Sequence, residues 1–213
     1  ETLVIIARKH NLFLLSDEVY REFAYDGGKQ ISAFTFAKGV MKDRIVILDS
    51  LSKRYSICGA RLGAFISYNR QLIQTVLKFA QARLSAGYID QLVAAQLKNV
   101  PNTYFVSIIK EYEARRNLMY AGLNKIPGVF CAKPEGAFYM MVRLPVKDAG
   151  DFAKYLLTDF QDNNETVMVA PGDGFYGSGL GKNEIRIAYV LNQPSLKRCL
   201  ALIEKALQKY SSK

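Results

Sequence analysis

Arg44-Ile45-Val46-Ile47-Leu48-Asp49 runs directly into Ser50-Leu51-Ser52-Lys53. The first six residues read as a short strand, because a continuous apolar run of this length suits a strand covered on both faces of a sheet. The four that follow then stand at the strand's carboxyl edge, where open α/β sheets bind their ligands. Upstream, Leu12-Phe13-Leu14-Leu15 repeats the pattern and ends at Ser16-Asp17, which puts Asp17 at a second carboxyl edge. Downstream, Arg61 to Tyr68 supplies a third strand. Strands alternating with helical stretches predict an α/β fold.

Glu1 to His10 reads as the end of a helix. After Asn69 the spacing predicts helices over Arg70 to Leu84, Tyr88 to Asn99 and about Asn102 to Lys125, with Pro101 suited to the start of the third. Pro127-Gly128 interrupts the pattern, which then becomes a smaller α+β unit. Its expected strands are Val129-Cys131, Ala137-Leu144, Val167-Val169 and Glu184-Leu191, and its expected helices are Ala149-Phe160 and Pro194-Tyr210. The expected division is a large domain over 1–126, including the connecting helix, and a small domain over 127–213.

Of the 213 residues, 50% are hydrophobic and 23% charged, a composition that supports a packed core and argues against disorder. The net charge of +10 comes from scattered basic residues, the nearest approach to a cluster being Arg115-Arg116 within a helix. With no accompanying motif, a nucleic-acid partner is not expected. No apolar run reaches the roughly 18 residues of a membrane span, and the first residues lack the features of a signal peptide. A cytoplasmic protein with no membrane partner is the expectation. Cys58, Cys131 and Cys199 are widely spaced and there is one histidine, so no metal site is expected. The cysteines read as reduced, mostly buried small hydrophobes; Cys58 alone is near enough to Lys53 to line a site there. His10 reads as a helix-end residue.

The chemistry concentrates around Lys53. A primary amine beside two hydroxyls (Ser50, Ser52) and a guanidinium (Arg61) is what a phosphorylated aldehyde needs: the amine condenses with the aldehyde, and the others hold the phosphate by charge-assisted hydrogen bonds. A lysine kept from water and near other cations also loses its proton more readily. In Glu184-Ile185-Arg186-Ile187-Ala188, strand alternation puts Arg186 and Glu184 on one face and Ile185 and Ile187 toward the core.

Asp17-x-x-Tyr20, then Ser50-x-Ser52-Lys53, then Gly59-Ala60-Arg61-Leu62-Gly63, in that order and spacing, resembles the class I/II pyridoxal-phosphate-dependent aminotransferases of fold type I. Aspartate and aromatic aminotransferases are the nearest in kind, and the resemblance runs essentially from Glu1 to the C-terminus. It implies a mixed-sheet large domain with an α+β small domain, pyridoxal 5′-phosphate as a Schiff base on Lys53, and Lys53 as the proton shuttle. It further implies that Asp17 pairs with the ring nitrogen, Tyr20 bonds the ring oxygen, and Ser50 and Arg61 hold the phosphate. Ser52 either joins that set or packs beside the lysine. Pro171-Gly172 through Phe175, the turn with Gly177, Gly179 and Gly181, and Arg186 are similar to the family's substrate clamp, in which the arginine takes the α-carboxylate. Here Phe175-Tyr176-Gly177 replaces the usual Phe-Gly. Gly136-Ala137-Phe138-Tyr139 also looks like the family, with side chains read as structural. The implied partners are an amino acid, a 2-oxo acid and a second subunit in a homodimer. The family's upstream elements, a glycine/serine phosphate turn, a ring-stacking aromatic and an Asn-Pro asparagine, have no place in the sixteen residues before Asp17. The expectation is therefore the C-terminal portion of an enzyme about twice as long, inactive by itself. A lyase or decarboxylase on the same fold, or the effector-sensing domain of a transcription regulator, would share the same motifs.

Overall fold

The central strand predicted at Arg44 to Asp49 is present as Ile45–Ser50, with Ile45, Val46 and Ile47 almost wholly buried. A computed structural model describes residues 1–29, 31–177 and 179–211 and divides into two units, Glu1–Phe105 and Val106–Lys213.

The first unit opens with α1 (Thr2–Lys9), which stops at His10, an exposed C-cap, as expected. Arg8 and Lys9 in its last turn complement the helix dipole. Strands β1 (Leu14–Asp17), β2 (Ile45–Ser50) and β3 (Gly63–Ser67) form a sheet in that order. β1 and β2 are parallel while β2 and β3 are antiparallel, so the sheet is mixed. The four-residue helix α2 (Leu51–Arg54) follows β2 directly. Ile45 and Ile47 join Ala7, Ala37 and Met41 in one apolar cluster. Coverage of both faces holds for β2 alone: Leu15 on β1 and Ile66 on β3 are exposed, since these outer strands alternate between a half-buried and an open face. Helices α3 (Arg70–Ala82) and α4 (Tyr88–Gln96) follow, and Asn69 caps α3 by accepting from the Leu72 amide at 3.0 Å. The long helix α5 (Asn102–Leu123) begins one residue after Pro101.

The second unit has an antiparallel sheet ordered β4 (Phe130–Cys131), β5 (Tyr139–Arg143), β7 (Glu184–Ala188), β6 (Ala170–Pro171), with helices α6 (Ala149–Thr158) and α7 (Gln193–Ser211). Met140, Val142, Ile185 and Ile187 form the buried face of the sheet, and Phe152, Leu156, Leu196 and Ile203 are the helices' share of the core. The strand expected at Val167-Val169 is displaced to Ala170–Pro171, the residues in register with Arg186 and Ile185. Pro171 lacks an N–H, which suits the end of an edge strand.

The basic pair Arg115-Arg116 is consumed inside this unit. Arg116 is fully buried and donates to the Pro134 carbonyl, while Arg115 pairs with Glu111 at 2.7 Å. Of the cysteines, Cys131 is buried but Cys58 is exposed, so the burial expected for the set fails there. Among the described residues no helix is long and apolar enough to cross a membrane, and no cluster of metal ligands is found.

Candidate active site

Strand pairing brings the first unit's motifs to one edge. β1 and β2 run parallel with Asp17 beside Leu48, and the Glu18 amide continues the ladder to the Leu48 carbonyl at 2.9 Å. Asp17 and Ser50 therefore end neighbouring strands on the same side. Because β3 is antiparallel, its first residue, Gly63, faces Ser50, which places Arg61 two residues outside the sheet at that same edge.

Ser50 turns the chain from strand into helix. Its backbone is extended (φ −152°), and its Oγ accepts from the Ser52 amide at 3.1 Å as the N-cap of α2. The same Oγ lies 3.0 Å from Ser52 Oγ and 3.1 Å from the Leu62 carbonyl. With one proton and two lone pairs, the hydroxyl is already engaged by its own loop and must rotate to serve a ligand. Ser52 is buried. Its carbonyl accepts from Cys58 Sγ at 3.2 Å, so Cys58 touches the backbone of the lysine-bearing turn.

Lys53 is half-buried, and among the described residues its side-chain amine makes no hydrogen bond or ion pair. Asp17 is exposed; its Oδ1 accepts from the Val19 amide at a long 3.3 Å. Tyr20 is half-buried and meets Phe23 edge-to-face at 6.3 Å. Arg61 ends a 3-10 turn (Cys58–Ala60) in the left-handed region at φ 52°, and Nη1 donates to the Cys58 carbonyl at 3.0 Å. An arginine in that conformation carries a strain cost; Arg61 itself is exposed.

Sequence reasoning missed the charges behind this edge. Arg54 Nη2 donates to Asp49 Oδ2 at 2.8 Å and Oδ1 at 3.0 Å. Its Nε stands 2.8 Å from Glu22 Oε1, an ion pair by distance but not an aligned hydrogen bond. Burial works against the Arg54 charge, and Glu22 and Asp49 more than offset it, so its pKa is raised. Arg21 adds contacts to Glu18 (3.5 Å), Glu22 (3.2 Å) and Asp49 (3.9 Å). The available signal was charge of both signs packed next to two motifs. A cleft of about 420 Å³ runs past Asp49, Ser50, Arg54, Leu62 and Gly63; Lys53 is not in its lining.

In the second unit, Arg186 lies on the open face of β7 with Glu184, while Ile185 and Ile187 are buried, as alternation requires. Its guanidinium carbon is 4.1 Å from the Phe175 ring centre and 4.5 Å from that of Tyr139. Phe175 ends a 3-10 turn (Asp173–Phe175) tied to β7 twice: the Gly172 amide donates to the Glu184 carbonyl at 2.7 Å, and the Tyr176 hydroxyl to Glu184 Oε2 at 2.6 Å. The bond to that carboxylate raises the Tyr176 pKa. Tyr139, from the Gly-Ala-Phe-Tyr stretch read as structural, is thus a direct neighbour of the arginine. The glycine-rich turn is described at Gly177, Gly179 and Gly181; Ser178 lies outside the described residues.

The sequence pattern of the family described as Aminotransferase class I and II matches residues 1–203, and the chain belongs to that family. The aspartate aminotransferase of Bacillus subtilis (strain 168) is 29% identical over 97% of the chain and 52% of its own length. The aromatic-amino-acid aminotransferase 2 of Thermococcus litoralis is 31% identical, over 98% and 52%. Among solved structures, the aspartate aminotransferase of Rhizobium meliloti superposes with a TM-score of 0.81 at 29% identity, covering 97% of this chain and 52% of that one. The chain spans about half the length of the curated relatives it matches. Members of this family normally use pyridoxal phosphate.

Proposed function

We propose that the chain is the C-terminal portion of a fold type I aminotransferase, the enzyme moving an amino group between an amino acid and a 2-oxo acid. One observation supports this reading: strand register brings the end of β1 at Asp17, the Lys53-bearing turn after Ser50 and the Arg61 turn before Gly63 to one edge of the first unit's sheet.

The residues present fit pyridoxal 5′-phosphate. Lys53 has no internal partner to give up, Asp17 has an exposed carboxylate, and Arg61 spends one donor on its own turn. When bound, that group supplies an aldehyde carbon for an amine and a ring that withdraws electrons from the substrate's α-carbon. Lys53 Nζ would hold it and, once released, take the α-proton and hand it on as general base and then acid. Asp17 would keep the ring nitrogen protonated, and Tyr20 would bond the ring oxygen. Arg61 would grip the phosphate through its planar fork, with Ser50 after rotation of its hydroxyl. Buried Ser52 would support the turn from behind. In the second unit Arg186 would take the substrate α-carboxylate in two parallel bonds. A homodimer is the assembly this reading favours. The chain alone, about half the length of its relatives, would not transaminate, because these groups by themselves do not hold a ring in the plane that proton transfer needs.

Treatment with pyridoxal phosphate and borohydride, followed by peptide mass mapping, tests this reading. The expected product is a pyridoxyl adduct on Lys53. An adduct spread evenly over surface lysines, or none, would sink it.

A further inference from the structure

We propose that Arg54 is a positioning residue that sets Lys53 relative to Asp17 and Tyr20. This inference rests on the reading of Lys53 as the cofactor lysine. The need for such a residue follows from α2, which has four residues, too few for helical hydrogen bonding to hold it in place. Its N-cap and the Leu51 amide bond to the Leu62 carbonyl (3.2 Å) fasten it to β2 and β3. The strand ladder already sets Asp17 against β2, but neither bond reaches the turn carrying Tyr20.

Arg54 does. It is Lys53's immediate neighbour, and its guanidinium spans from Asp49, at the end of β2, to Glu22, two residues beyond Tyr20. The side chains of Arg54, Glu22 and Asp49 are 11%, 20% and 11% exposed, so the pairs are shielded from the screening that weakens surface ion pairs. Glu22 is not on a loose tether. The Arg21 amide bonds the Glu18 carbonyl at 3.0 Å and the Phe23 amide bonds the Tyr20 carbonyl at 2.9 Å, so residues 18–23 move as one turn. Fixing Glu22 therefore fixes Tyr20. Arg21 contacts the same acids at longer range and is 34% exposed, which makes it the secondary holder. A lysine at position 54 would keep the charge but, as a single ammonium, could not serve both carboxylates in this geometry.

The test uses the whole chain with Arg54→Gln, Arg54→Lys, Glu22→Ala and, as a control in the other unit, Arg198→Gln. In the first measurement, amide hydrogen exchange is followed in peptides covering 18–23 and 50–55. Arg54→Gln and Glu22→Ala should each speed exchange about tenfold in both segments, and Arg198→Gln in neither. In the second, Lys53 labelling by pyridoxal phosphate is compared with labelling by glycolaldehyde, a small aldehyde lacking ring and phosphate, both trapped with borohydride. Arg54→Gln should cut the preference for pyridoxal phosphate at least fivefold while leaving glycolaldehyde labelling unchanged, with less than half regained in Arg54→Lys. A merely structural role would change both labellings together, and that result overturns the proposal. So does unchanged exchange in 18–23. If the unsubstituted chain shows no preference for pyridoxal phosphate, the cofactor reading fails instead, and the exchange data still decide whether Arg54 ties the two segments.

Discussion

The Arg186 guanidinium carbon lies 4.1 Å from the centre of the Phe175 ring, with the Tyr139 ring 4.5 Å away. Among the described residues the Arg186 side chain makes no hydrogen bond or ion pair, so aromatic contact and strand geometry orient it. A guanidinium held by ring contacts keeps its in-plane N–H groups free, the arrangement a carboxylate can address with both oxygens. Arg186→Ala in the assembled enzyme should raise the Michaelis constants for amino and keto acids, costing about 2–4 kcal/mol, or roughly 30- to 1000-fold in kcat/KM. Phe175→Ala should cost only about 2- to 5-fold, the worth of one exposed cation–π contact. Steady-state kinetics checks both; unchanged constants would return Arg186 to an ordinary surface role.

Gly172 connects the Phe175 turn to the sheet. A Cβ there would meet the Glu184 carbonyl oxygen at 2.7 Å and its carbon at 2.9 Å, both backbone atoms that cannot swing aside. Gly172→Ala should destabilise the second unit by about 1–3 kcal/mol through overpacking. It should also weaken carboxylate binding, since residues 172–176 carry Phe175. Thermal melts alongside kinetics would separate the two effects, and a melting temperature unchanged from the parent would contradict the expectation.

Ser50 has a local task whatever ligand it serves. Ser50→Ala removes the cap on α2 and should cost about 0.5–2 kcal/mol. Ser50→Asp keeps a capping acceptor while repelling a phosphate. Labelling of Lys53 by pyridoxal phosphate should therefore fall more in the aspartate variant, although that variant is the more stable one. Equal loss in both would leave capping as the whole role.

Cys131 supplies a pH dependence with a definite sign. Burial pushes its thiol up to about 11 from an ordinary value of 9.0. The folded chain thus favours the protonated form, and the associated stability is complete below pH 9 and is lost as pH rises from 9 toward 11. Denaturant midpoints measured across that window should fall more steeply for the parent than for Cys131→Val. Parallel curves would show that this thiol does not contribute. Thiol reagents at pH 8 should modify exposed Cys58 well before buried Cys131.

The sequence by itself determined the strands that carry the motifs, because a short apolar run closed by Ser-x-Ser-Lys or Asp-x-x-Tyr is a local signal that needs no partner to be read. It also determined the side of β7 on which Arg186 lies, since alternation in a strand is a property of the backbone. Three things were beyond its reach. The strand near residue 170 depends on which residues pair with β7, and the apolar triplet before it satisfies the same pattern without pairing. Exposure of Leu15 beside buried Val46 depends on what covers each face of the sheet, and apolar character alone does not reveal that. The links from Arg54 to Glu22 and from Arg186 to Tyr139 join residues 32 and 47 positions apart. Only the tertiary structure decides such contacts, because an ion pair or a ring contact is set by distance in space, and charge or aromatic type on its own does not name a partner.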